Sequence, residues 1–263
     1  METLSLERGD VSLRALDFGG RGPPVLLLHG LAGYAGEWAD TASWLSESHQ
    51  VVAPDQRGHG ASTRSPPAVA PADFVADVVA WLDALGLERA SLVGQSFGGL
   101  IAFLVAAWHP ERVSRLVVAE ASPAPDPRAE AELRDWRESW PAPFDDEQAA
   151  RRFFGGDSLR GRAWAGGLEE RGGGLWPRFD AETLLRALCE AASGWWDTWS
   201  SLRCPTLVVR GEHGLAAEEA QAMAGALDDA MLETIAGAGH DVHLESPSDW
   251  RRIVQPFLAS NGG

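Results

Sequence analysis

The sequence predicts an α/β fold: a mostly parallel sheet flanked by helices and interrupted once by an inserted helical segment. Three observations carry that expectation. Short apolar runs alternate with helical patterns from Val25 to Ala119, as in sheets whose strands are buried on both faces and joined by crossover helices. The rhythm stops after Glu120 and resumes at Pro205. Residues 122–203, in between, hold six prolines, several glycine clusters and seven of the twelve tryptophans without one buried-strand run.

Taken in order, Val11 to Asp17 alternates apolar and polar residues with the period of an antiparallel edge strand, paired with Leu4 to Leu6 across a turn at Gly9-Asp10. Val25 to Leu28, Val51 to Ala53, Ser91 to Val93 and Val113 to Ala119 read as buried strands, separated by helices at Glu37 to Leu45, Ala72 to Leu85 and Gly98 to Trp108. After the insertion come a strand at Thr206 to Gly211, a helix near Ala217 to Leu227, a strand at Met231 to Ile235 and a last helix from Ser248 to Leu258. The expected organisation is a core domain of residues 1–121 and 204–263 with a helical cap, or lid, of residues 122–203.

Composition narrows the function classes. The 263 residues carry a net charge of −16, and all 22 basic residues are arginine. So acidic a surface repels phosphate backbones and anionic lipid, so neither nucleic acid nor a membrane is an expected partner. No apolar run approaches the roughly 18 residues of a membrane span, and the N-terminal residues lack a secretory pattern, which makes the cytoplasm the expected compartment. Cys189 and Cys204 match no metal-ligand spacing and read as reduced structural thiols. A monomer or homodimer is expected.

Gly94-Gln95-Ser96-Phe97-Gly98 lies between a predicted strand and a predicted helix. In that context a G-x-S-x-G match becomes a nucleophile elbow, with small residues flanking Ser96 in a tight turn and the following helix N-terminus aimed at a reacting carbonyl. His29-Gly30-Leu31-Ala32-Gly33 follows the strand Val25 to Leu28, where the second half of an oxyanion hole belongs; the expected donors are the backbone amides of Leu31 and Phe97. Gly237-Ala238-Gly239-His240 follows the last strand and makes His240 the candidate general base. His243 is its nearest rival and reads as structural, while His29 reads as a brace for the oxyanion loop.

His29-Gly30, the segment Asp55 to Ser62, Gly94 to Gly99 and Gly239-His240 are, in order and spacing, similar to the α/β-hydrolase fold family of small bacterial esterases and lactonases. The resemblance covers the chain outside residues 122–203. It implies a Ser-His-acid catalytic triad, a structural role for Asp55 to Ser62, and no cofactor or metal. One departure stands out. Most relatives carry the acid in a Gly-x-x-Asp pattern after the strand equivalent to Thr206 to Arg210, and here that pattern reads Gly211-Glu212-His213-Gly214. Glu120, at the carboxyl end of the strand Val113 to Ala119 and 24 positions after Ser96, is the better candidate, because catalytic groups of such sheets gather at strand carboxyl ends. Some branches of the family, one group of haloalkane dehalogenases and the fungal zearalenone lactonases among them, resemble this chain in placing a glutamate there. An acid near Glu212 is the alternative.

The expected activity is hydrolysis of a carboxylic ester or lactone with a bulky apolar or aromatic group, through an acyl-enzyme on Ser96. Tyr34, Trp136, Trp140, Trp164, Trp195 and Trp196 are the candidate substrate-binding residues, offering large flat surfaces over the site. Alternatives are a carbon–carbon bond hydrolase or a cofactor-free perhydrolase with the same triad, and a non-catalytic ligand receptor on the same fold.

Overall fold

The computed structural model describes residues 1–124 and 128–259. Its main sheet has eight strands in the order β1-β2-β4-β3-β5-β6-β9-β10. The strands are β1 (Glu2–Arg8), β2 (Val11–Gly19), β3 (Pro24–Leu28), β4 (Gln50–Asp55), β5 (Ala90–Gln95), β6 (Val113–Ala119), β9 (Thr206–Gly211) and β10 (Ala230–Ile235). β2 pairs antiparallel with β1 and with β4, and the remaining pairs are parallel. The expected edge hairpin is present: Arg8 faces Val11, with Gly9 at φ 57° in the turn.

Alternation along the buried strands divides the core into two layers. Val25 and Leu27 of β3 pack on one face of the sheet, and Leu26 and Leu28 on the other. The first face is covered by α1 (Ala39–Leu45) and α11 (Pro247–Ala259), and the second by α2 (Pro71–Ala84), α3 (Phe97–Trp108) and α9 (Ala217–Gly225). The predicted helix over Glu37 to Leu45 is a 3-10 turn (Ala35–Trp38) running into α1.

Between β6 and β9 lie α4 (Ala129–Glu138), α5 (Glu147–Phe154), α6 (Leu159–Gly166), the strands β7 (Leu168–Arg171) and β8 (Gly174–Pro177), α7 (Ala181–Ala191) and α8 (Trp196–Ser200). This stretch is mainly helical, but the β7–β8 hairpin was not expected. Its turn residues, Gly172 and Gly173, both have positive φ (60° and 81°), the backbone of a two-residue hairpin turn whose twist matches the strands. Noted only as part of a glycine cluster, Gly172-Gly173 conceals that turn. The insertion has its own core around Trp140, Phe144, Phe154, Phe179 and Leu184. Its last helix nevertheless packs elsewhere: Trp199 of α8 is buried against Phe103 of α3 (ring centroids 5.3 Å apart), and its Nε1 donates to the Met223 carbonyl at 2.8 Å. No helix among the described residues is long and apolar enough to cross a membrane. A short helix, α10 (Val242–Glu245), follows the loop carrying His240.

Candidate active site

The site is built at the carboxyl ends of β3, β5 and β6. β5 ends at Gln95, α3 begins at Phe97, and Ser96 between them adopts φ 52°, ψ −122°, a conformation that costs a non-glycine residue about 1–3 kcal/mol and persists only where the surroundings enforce it. The enforcement is visible. Ser96 N donates to the Ala119 carbonyl at 2.8 Å, and Leu100 N donates back to the Ser96 carbonyl at 3.0 Å. A Cβ on Gly94 would overlap the backbone of Gly98, and one on Gly98 would overlap the carbonyls of Leu28 and His29, so both glycines of the elbow are required by space.

β3 delivers the facing loop. His29 is buried, with Nδ1 donating to the Gly30 carbonyl (2.8 Å) and Nε2 accepting from Gln56 N (3.0 Å), the bracing role expected of it. Gly33 N closes a tight turn onto the Gly30 carbonyl (3.1 Å). Leu31 and Phe97 both line one large cavity together with Ser96, Glu120 and His240. Ser96 Oγ has no hydrogen-bond partner among the described residues; such bonds commonly tighten only when substrate is bound.

Glu120 follows β6 with φ 54°, and its side chain is 1% exposed. Oε1 accepts from Gly211 N (2.6 Å), while Oε2 accepts from Leu215 N (2.9 Å) and lies 3.4 Å from His240 Nδ1. Backbone amides at the end of β9 and in the loop after it thus hold a carboxylate that directly follows β6. Gly214 occupies the position where the family resemblance places an aspartate, and a Cβ there would overlap the Glu120 carboxylate. The glycine is what makes room for Glu120. Glu212 instead accepts from Gly237 N at an exposed position, away from His240.

His240 is fixed from several sides. Gln95 Nε2 donates to its carbonyl (2.9 Å), and Glu245 accepts from Gly239 N (2.6 Å) and Asp241 N (3.2 Å). Its imidazole is 57% exposed and lines the cavity. Burial by the cavity walls pushes its pKa down, but the Glu120 hydrogen bond and the charges of Asp241, Glu120 and Glu245 outweigh this and raise it above the usual histidine value. His243 points away from the site, stacked on Trp38 at 4.3 Å with Nε2 3.4 Å from Glu37.

The cavity measures about 880 Å³, within the range of small-molecule sites. Trp136, Trp164 and Trp195 line it; Tyr34, Trp140 and Trp196 do not, which corrects half of the expected aromatic set. Tyr34 packs against α6 instead, donating from its hydroxyl to the Ala163 carbonyl (3.1 Å), and burial, reinforced by the Glu37 charge, pushes its pKa up to about 12. Trp140 is the centre of the insertion's own core, because an insert poor in aliphatic runs packs its aromatics on one another. Trp196 packs against the main core. The Asp55 segment is structural, as expected: Asp55 accepts from Ala35 N (2.6 Å) and Ala61 N (2.8 Å), and Arg57 pairs with buried Asp77 through two bonds of 2.7 Å.

Sequence reasoning missed Gln95, Asp241, Glu245 and Arg160. Gln95 sits inside the elbow motif and Glu245 five residues after His240, so both were findable from spacing to the chemistry. Arg160 carries no such signal. Among the described residues no group of three or more His, Cys, Asp or Glu side chains could hold a metal ion.

The sequence matches the family model of the alpha/beta hydrolase fold over residues 23–247. It is 27% identical over 255 residues to (E)-2-((N-methylformamido)methylene)succinate hydrolase of Acinetobacter baylyi, covering 91% of each chain. It is 44% identical over 103 residues to 2-hydroxymuconate semialdehyde hydrolase of a Pseudomonas species, covering 38% of this chain and 36% of that one. The solved structure of E-2-(acetamidomethylene)succinate hydrolase superposes with a TM-score of 0.89 at 24% identity, covering 98% of this chain and 99% of that one. The strand order, the elbow at Ser96 and the match over most of its length place this chain in the alpha/beta hydrolase fold family.

Proposed function

We propose that the protein is a serine hydrolase that cleaves a carboxylic ester or lactone through an acyl-enzyme. The observation that carries this reading is the Glu120 carboxylate, held by two backbone amides against His240 Nδ1 in the cavity that also exposes Ser96. Ser96 Oγ attacks the carbonyl carbon as His240 Nε2 takes its proton. The imidazolium then gives that proton to the leaving alkoxide, and a water molecule repeats the sequence to release the acid. Glu120 keeps the proton on Nδ1, so that Nε2 faces the serine, and stabilises the imidazolium. The amides of Leu31 and Phe97 receive the oxyanion. Residues 122–203 serve as a cap over the core of residues 1–121 and 204–263, lending Trp136, Trp164 and Trp195 to the wall that meets an apolar substrate body.

The local identity to 2-hydroxymuconate semialdehyde hydrolase favours a second reading, carbon–carbon bond hydrolysis with the same three side chains. A p-nitrophenyl ester assay run beside a serine-directed fluorophosphonate probe separates the two. Ester turnover with labelling, both lost in Ser96→Ala, supports the first reading. Labelling without ester turnover favours the second, and the absence of both overturns a serine hydrolase.

A further inference from the structure

The cavity walls are one-sided in charge. Among the described residues Glu37, Glu120, Asp241 and Glu245 line them, with Glu130 and Glu132 at the exposed end, where Arg134 and Arg128 pair with them, and Arg160 is the one arginine of the lining. That arginine is already engaged. Its Nε donates to Asp241 Oδ2 at 2.8 Å and its Nη1 to the Phe154 carbonyl at 3.1 Å, with Glu245 Oε1 3.9 Å away. Asp241 Oδ2 also accepts from Trp164 Nε1 at 2.9 Å. Burial pushes the Asp241 carboxyl up, but the Arg160 hydrogen bond and the neighbouring histidines outweigh it and hold it below the usual range. Asp241 is therefore an anion that neutralises the cavity's guanidinium, which would otherwise present a planar fork to a ligand carboxylate.

A substrate carboxylate entering this space would give up its hydration, meet the carboxylates of Glu37, Glu120, Asp241 and Glu245 and find its natural partner occupied. Burying a charge on those terms is expensive. An uncharged body meets the faces of Trp136, Trp164 and Trp195 at no such cost. We propose that the cavity accepts substrates uncharged in the part it encloses and turns away those bearing an additional carboxylate, with Asp241 setting that preference by holding Arg160. This rests on the ester-hydrolase reading above.

The test compares phenyl hexanoate with monophenyl adipate, two esters whose six-carbon acyl chains end in a methyl and a carboxylate. Wild-type kcat/KM should favour the hexanoate by about ten-fold or more, the penalty of a charge facing like charges. Asp241→Asn, which releases Arg160, should shrink that preference by about ten-fold, the size of one charge-assisted hydrogen bond. Adding Arg160→Gln to it should restore the preference. The ratio is the readout because any disturbance of neighbouring His240 slows both esters alike. Titrating the same pair into Ser96→Ala by tryptophan fluorescence reads binding without cleavage. Tighter binding of the hexanoate with no wild-type turnover of either ester would sink the hydrolytic reading and leave this inference standing. Equal affinity, binding of neither ester, or a preference unmoved by Asp241→Asn overturns it.

Discussion

Replacing Glu120 by glutamine isolates what the carboxylate does, since size is kept and one acceptor oxygen becomes a donor. In the native arrangement Oε1 receives Gly211 N at 2.6 Å, and Oε2 receives Leu215 N at 2.9 Å and faces His240 Nδ1 at 3.4 Å. The remaining oxygen of the glutamine stays with Gly211, the shortest of the three bonds, so the new amide faces two donors. Each such buried mismatch costs about 1–3 kcal/mol. Together the two remove about 2–6 kcal/mol from the correctly oriented imidazole, which is roughly 30- to 10⁴-fold in kcat. KM should change much less. The acid limb of the kcat/KM profile should also move toward lower pH, because Glu120 is the largest of the influences that raise His240. Steady-state kinetics on a p-nitrophenyl ester across pH reads all of this, with circular dichroism to verify the fold. Glu212→Gln should stay within about three-fold of wild type, as suits an exposed carboxylate. Gly214→Asp alone should be inactive or unstable because its Cβ overlaps Glu120, whereas Glu120→Ala with Gly214→Asp should recover part of the rate that Glu120→Ala loses. A crippled Glu212→Gln beside a mild Glu120→Gln would refute the assignment.

Two further outcomes concern stability. His59 is fully buried, and burial together with neighbouring His29 lowers its pKa to about 3. A depressed folded pKa contributes stability that is complete above the unfolded value near 6.5 and is lost as pH falls from there toward 3; urea midpoints should therefore drop between pH 6.5 and 4, and the drop should be shallower in His59→Phe. Trp199→Ala should destabilise the protein by about 3–5 kcal/mol, the usual range for a buried tryptophan. It empties a site in the main core between α3 and α9, and a shift under about 1 kcal/mol in urea unfolding would show that α8 belongs to the insertion alone.

What the sequence determined by itself is what short-range rules govern. Strand and helix positions follow from period and run length, and Val113–Ala119 and Thr206–Gly211 came out residue for residue. The elbow at Ser96 was legible because a turn that tight excludes side chains at fixed offsets. The missing aspartate at Gly214 was legible as a departure, and Glu120 as a candidate for its place. Tertiary structure decided the rest. That Glu120 rather than Glu212 meets His240 depends on amides of Gly211 and Leu215, which lie more than 90 residues away in sequence and are brought alongside by the pairing of β6 with β9. Which tryptophans face the cavity depends on how the insertion packs on itself and on α3, and aromatic residues satisfy both demands equally well in one dimension. The engagement of Arg160 by Asp241 spans 81 positions. A charge pair of that kind leaves no periodic trace, because only the folded chain brings its partners within reach.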